Sequence, residues 1–163
     1  MQQPQILNTS PKYLIGIRTT TTLSANNAVA LWASFMPRRK EIANRIEQAL
    51  YSVQVYPEST SMDKFTPETQ FEKWAAVEVT EVDTIPESME TLELAGGMYA
   101  VFLHKGPASD FYKTAQYIYG TWLPNSEYQL DNRPQFEVMG EKYLGHANPD
   151  SEEEVWVPIK LKI

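Results

Sequence analysis

Two glutamates and a tryptophan near the carboxyl end carry the chemistry that stands out in this chain. Glu137 lies in Arg133-Pro134-Gln135-Phe136-Glu137-Val138, and Glu154 and Trp156 lie in Glu154-Val155-Trp156-Val157-Pro158-Ile159. Each segment reads as a β-strand, whose side chains alternate between two faces. In the second segment Val155, Val157, Ile159, Leu161 and Ile163 share one face, and Glu154, Trp156, Pro158, Lys160 and Lys162 share the other. In the first, Phe136 and Val138 oppose Gln135, Glu137 and Met139. If the apolar rows pack on helices, Glu137, Glu154 and Trp156 all point away from that core. Such a face suits a cationic, flat or lipophilic molecule, since an indole under a cation adds roughly 0.5–2 kcal/mol. The same glutamates beside a tyrosine hydroxyl can serve as a general base toward water, so an enzyme would use Glu154 or Glu137. Against both readings stands a plain one, a solvated sheet face, which alternation alone favours.

The other motifs narrow the chemistry. There is no HExxH, no GxSxG elbow and no P-loop. His104 continues a strand and His146 sits in a Gly-His-Ala-Asn turn, so neither has a metal-ligand spacing. The Glu152-Glu153-Glu154 run beside Asp150 lacks the alternating ligands and glycine of a calcium loop, and Glu152 and Glu153 read as a solvated turn. No cofactor and no metal are expected. Among the aromatic residues, Trp32, Tyr51, Tyr56, Trp74, Tyr99, Tyr112, Tyr117 and Tyr119 are candidate ring donors, although core packing accounts for any one of them taken singly.

The elements that must position these residues follow from periodicity. Residues 1–10 read as a polar lead-in. Tyr13 to Arg18 and the threonines after it form a first strand. Leu31, Trp32, Phe35 and Met36 recur at helical spacing, and Pro37 starts a second helical segment with Ile42, Ile46, Ala49 and Leu50 as its stripe. Tyr51–Tyr56 and Trp74–Val82 are strands two and three, separated by a polar connection over 57–70. Ile85-Pro86 marks a junction. Met89–Leu94 and Met98–His104 carry strand patterns around Gly96-Gly97. Phe111, Ala115, Ile118 and Trp122 form a helical stripe flanked by Tyr112 and Tyr119, and Pro124 stops that helix. Residues 13–82 and 89–163 thus share an order of strand, helix, strand, strand. The expectation is one α+β domain over 1–163, with halves near 11–84 and 88–163. Two βαββ units would form a curved antiparallel sheet with helices on one side and a ligand cleft at the join.

Composition bounds the partners. With 163 residues, 42% hydrophobic and 12% aromatic, the chain can bury a substantial core. A formal charge of −7 argues against direct nucleic-acid binding and is compatible with a cationic ligand. There is no cysteine, hence no disulfide or thiolate chemistry. No signal peptide and no membrane span are read from the sequence, so a cytoplasmic location is expected.

Four segments in combination carry a family resemblance. They are Tyr99-Ala100-Val101-Phe102-Leu103-His104-Lys105-Gly106-Pro107, Tyr119-Gly120-Thr121-Trp122-Leu123-Pro124, Arg133-Pro134-Gln135-Phe136-Glu137 and Glu154-Val155-Trp156-Val157-Pro158-Ile159. Together they resemble the GyrI-like effector-binding domains, which occur alone or fused to regulators of the AraC and MerR types. The match is best over 89–163. The resemblance implies two βαββ repeats around an aromatic, acidic pocket for small lipophilic organic cations. It places the pocket glutamates at Glu137 and Glu154, with Trp156 between Glu154 and Pro158. Tyr99, Tyr112, Tyr119 and Trp74 extend that pocket. About ten residues precede the first strand, so DNA contact by this chain itself is not expected. A protein partner, either a regulator or DNA gyrase, is compatible with the resemblance. Some relatives instead hydrolyse cyclopropane-containing genotoxins with a Glu and a Tyr, which is the alternative function.

Overall fold

Alternating strands need two covered faces when both rows are apolar, and this chain covers both. The computed structural model describes residues 3–57 and 65–163. Among the described residues nine strands are formed: β1 Gln5–Thr9, β2 Lys12–Thr21, β3 Leu50–Val55, β4 Phe71–Val79, β5 Glu90–Leu94, β6 Gly97–Lys105, β7 Tyr128–Leu130, β8 Gln135–Met139 and β9 Glu152–Leu161. Helix α1 spans Ala28–Phe35. Helix α2, Phe111–Tyr117, runs on through a π turn, Ile118–Trp122, into a last turn α3, Leu123–Asn125. Among the described residues no helix is long and apolar enough to cross a membrane.

The strand order is β1-β6-β9-β8-β3-β4-β2-β5, all antiparallel, with β7 paired to β9 off that path. The β2–β4 part of the sheet meets the β6–β9 part at the β3·β8 ladder, where Ser52 opposes Glu137 and Gln54 opposes Gln135. Only Ser10 and Pro11 separate β1 from β2, and only Ala95 and Gly96 separate β5 from β6. Those short links tie strands from opposite ends of the order, so the sheet must curl until its ends approach each other.

The curl gives a concave core and a convex face. One row of the register reads Val101, Trp156, Phe136, Val53, Trp74. All but Val101, which packs against its edge, join Leu14, Tyr51, Leu94 and Tyr99 in a single buried cluster fed by seven strands. Phe136 stacks on Trp156 at 5.3 Å and 17°, and Tyr99 meets both rings edge-on. The helices cover the other face. Helix α1 shields Ile15, Ala75, Val77 and Val79, while the α2 side shields Ala100, Phe102, Val155, Val157 and Ile159.

Three elements depart from the sequence reading. Residues 5–9 form the edge strand β1 rather than a lead-in, because Leu7 finds the concave core. The second helical segment is a short 3-10 helix, Met36–Glu41. Ile42 is buried beyond it, while Ile46 remains 46% exposed. Leu50, assigned to that stripe, opens β3 instead. Pro124 sits inside the last helical turn, where a missing N–H is tolerated, and the helix ends one residue later. Part of the 57–70 connection, residues 58–64, lies outside the described residues.

Gly16 occupies the tightest strand crossing. A Cβ there would lie 2.1 Å from the Ala75 carbonyl oxygen and 2.6 Å from the Ala76 Cβ. Backbone cannot yield as a flexible side chain does, so Gly16→Ala is expected to cost about 3 kcal/mol of unfolding free energy. Urea denaturation followed by tryptophan fluorescence measures it.

Candidate functional site

The middle of the convex face is where the chain breaks its own apolar pattern. Helix α1 and the α2 side each cover their own half, and β3 and β8 lie between them. Their convex residues are Ser52, Gln54, Gln135 and Glu137, with Leu50 and Met139 at one end of the ladder. Three are buried, at 6% exposure for Ser52 and 8% for each glutamine. A polar floor at such depth is unfavourable unless its groups are hydrogen-bonded or a ligand meets them.

Gln54 organises this floor. In the amide orientation that satisfies its partners, its nitrogen donates to Glu137 Oε2 at 3.0 Å and to the Gln135 carbonyl at 3.2 Å. Its oxygen then accepts from Lys73 Nζ at 2.9 Å. Lys73 therefore reaches Glu137 only through an amide. Among the described residues Glu137 has no ion pair within 4 Å. Burial raises its pKa, partly offset by the Lys73 charge and the Gln54 hydrogen bond.

A second carboxyl stands nearby. Glu153 opposes His104 in the β6·β9 ladder and extends the convex row of Val155 and Val157 by one step. Burial first, and the Glu137 charge second, push it up to about 7. Tyr119, carried on the π turn, donates its hydroxyl proton to Gln135 Oε1. Single π turns often mark functional positions, because the extra residue re-aims side chains. Tyr56 follows β3 and packs into an aromatic wall, its ring centroid 5.3 Å from those of Phe65, which it meets edge-on, and Phe71. Burial raises the phenol pKa of Tyr56 and Tyr119, and the Glu137 carboxylate raises both further. Carboxyls, phenols and phenylalanine rings thus gather around one strip of sheet.

The sequence-based set divides between the two faces. Glu137 and Tyr119 belong to the convex strip. Glu154 and Trp156 do not: Val155, their neighbour, is the residue that pairs with Glu137, so Glu154 and Trp156 face the concave side. The expectation that Glu137, Glu154 and Trp156 share one face fails for that reason. Glu154 is exposed at the concave mouth and accepts from Trp156 Nε1 at 3.0 Å. Trp74 and Tyr99 are buried in the concave core, where Trp74 Nε1 donates to Glu72 at 2.5 Å and the Tyr99 hydroxyl to the Ala95 carbonyl at 2.7 Å. Tyr112 points to solvent, 56% exposed. His104 is buried against Thr114 and Pro107, as a structural histidine is. Glu153 was missed because an acidic run reads as a turn. Its signal was its place in the apolar row of β9.

The family follows from comparison with known proteins. The model of the GyrI-like small molecule binding domain matches residues 2–160, and the chain belongs to that family. The transcriptional regulator BrlR of Pseudomonas aeruginosa is 29% identical over 129 residues, 79% of this chain. The aligned part is 45% of that regulator, so the chain spans about half its length. The structure of SAV2435 bound to tetraphenylphosphonium superimposes with a TM-score of 0.68 at 16% identity, over 98% of this chain and 94% of that one. A hydrolase from Listeria innocua has the same fold, with a TM-score of 0.59 at 10% identity over 97% and 92% of the two chains.

Proposed function

We propose that this domain binds a lipophilic organic cation on the convex strip, with Glu137 as counter-charge and Tyr56 and Tyr119 as ring walls. The observation that carries the reading is Glu137 itself. A buried carboxylate held by an amide and lacking a direct cation is costly, and an incoming cation relieves that cost. Adjacent rings favour a cation of low hydration. Membership of a small-molecule binding family supports this assignment, as does a neighbour of the same fold bound to tetraphenylphosphonium. As a counterpart to part of a transcriptional regulator, the domain would pass ligand occupancy to a protein partner rather than to DNA.

Tetraphenylphosphonium is the probe that tests it. Glu153 is held near pH 7 by burial and by Glu137. A bound cation stabilises the ionised carboxyls, lowers their pKa and releases protons. Affinity therefore rises with pH, by about tenfold between pH 5.5 and pH 8. Calorimetry in two buffers of different ionisation enthalpy reads the proton release directly. Saturable binding with protons released supports the assignment, and absence of saturable binding removes it.

The pairing of Glu153 with Glu137 beside Tyr119 favours a second reading, water attack on a strained electrophile with a carboxylate as general base. Product analysis after incubation with an electrophilic cyclopropane compound separates the two. A binder returns the compound intact.

A further inference from the structure

The concave face opens at one mouth, and that mouth is lined for a different ligand. A cavity of about 190 Å³ there is bounded by Lys12, Glu47, Tyr51, Glu78, Glu154 and Trp156, with Ala49 and Val138 completing the wall. Its floor is the buried aromatic stack: Tyr51 lies on Phe136 at 5.8 Å, and Phe136 on Trp156. Three carboxylates face one lysine. Among the described residues neither Glu47 nor Glu154 has a cationic partner.

The lysine indicates what the cavity takes. The Lys12 ammonium lies 5.6 Å from the Trp156 ring centroid and 3.7 Å from Glu78 Oε2, both near the outer limit of such contacts. Glu78 meanwhile accepts from the buried Tyr51 hydroxyl at 2.9 Å. Lys12 is carried at the start of β2, so its ammonium reaches both groups from one fixed anchor. A free ammonium on an aliphatic chain has no such tether. It can approach the indole face and lie between Glu154 and Glu47.

We propose that this mouth is a second binding site, specific for primary alkylammonium groups, in which Lys12 is a tethered and imperfect occupant that a free amine displaces. The site lies across the sheet from Glu137, so it is independent of the convex strip. Its small volume and open carboxylates suit a slim aliphatic diamine rather than a bulky aryl cation.

The test is a titration of the full chain, labelled with nitrogen-15, with 1,4-diaminobutane. The indole N–H resonance of Trp156, assigned by its loss in Trp156→Phe, reports occupancy. Saturable movement of that resonance is expected, with Trp32 and Trp122 unmoved. Lys12→Met removes the competitor and is expected to tighten binding about tenfold, while Glu154→Gln with Glu47→Gln weakens it about tenfold. Glu137→Gln leaves it unchanged. A Trp156 signal that fails to saturate, or a Lys12→Met variant that binds no more tightly than wild type, overturns the proposal.

Discussion

Glu137→Gln is expected to weaken tetraphenylphosphonium binding by about thirtyfold or more, roughly 2 kcal/mol, because it removes a buried counter-charge from the middle of the convex strip. The substitution keeps the side chain's shape. An amide oxygen at position 137 still accepts from Gln54, so the floor of Ser52, Gln54 and Gln135 stays assembled. Loss of affinity would therefore report charge rather than collapse of the site. The free protein should respond in the opposite sense. A carboxyl whose pKa is raised in the folded state favours the fold only below its unfolded value, and that advantage is lost as pH rises through the folded value. At neutral pH the glutamine variant should be at least as stable as wild type. Calorimetric titration and thermal unfolding on the same samples measure both effects. Undiminished affinity in Glu137→Gln would place the cation elsewhere.

Arg133→Met is expected to cost about 3 kcal/mol of stability, because it strips a nearly buried cation from several acceptors at once. The guanidinium donates to the Met98 carbonyl at 2.6 Å, to the Ile159 carbonyl at 3.2 Å and to Asp131 Oδ2 at 2.7 Å. It also lies 4.6 Å from the Tyr99 ring centroid. These contacts join β6, β9 and the segment before β8, and Arg133 stops one end of the concave core as Lys12 partly fills the other. Gly97 makes room for it: a Cβ at that position would lie 2.7 Å from the Arg133 Nη1 atom. Methionine keeps the aliphatic stem, so the measured loss isolates the charged hydrogen bonds. Chemical denaturation gives the value. A change below about 1 kcal/mol would mean that these contacts are largely replaced by water.

Much of the architecture was legible because strand alternation and helical spacing are local properties. Tyr13–Arg18, Tyr51–Val55, Trp74–Val79 and Val155–Ile159 each alternate or run apolar over a strand's length, and each is a strand. The buried Ile118 lies on the predicted stripe of the second helical run. The edge strand β1 was not legible. Its residues Gln5, Leu7 and Asn8 are ordinary in isolation, and only the partner β6 makes them a strand.

The candidate site shows the same boundary. From its residues alone the chain specifies that Glu137 alternates with Phe136, that Glu154 and Trp156 share one side of their strand, and that aromatic and acidic groups are plentiful. Which side of β8 matches which side of β9 is set by the register Phe136↔Trp156, and a slip of one residue exchanges every face. The usual guide to that choice, apolar side inward, gives no answer here. Both faces of this sheet are covered, one by helices and the other by the sheet's own curl, so apolarity marks neither as the inside. Only the folded chain sends Glu137 to the helices and Trp156 into the curl, since long-range pairing fixes the relative phase of two strands.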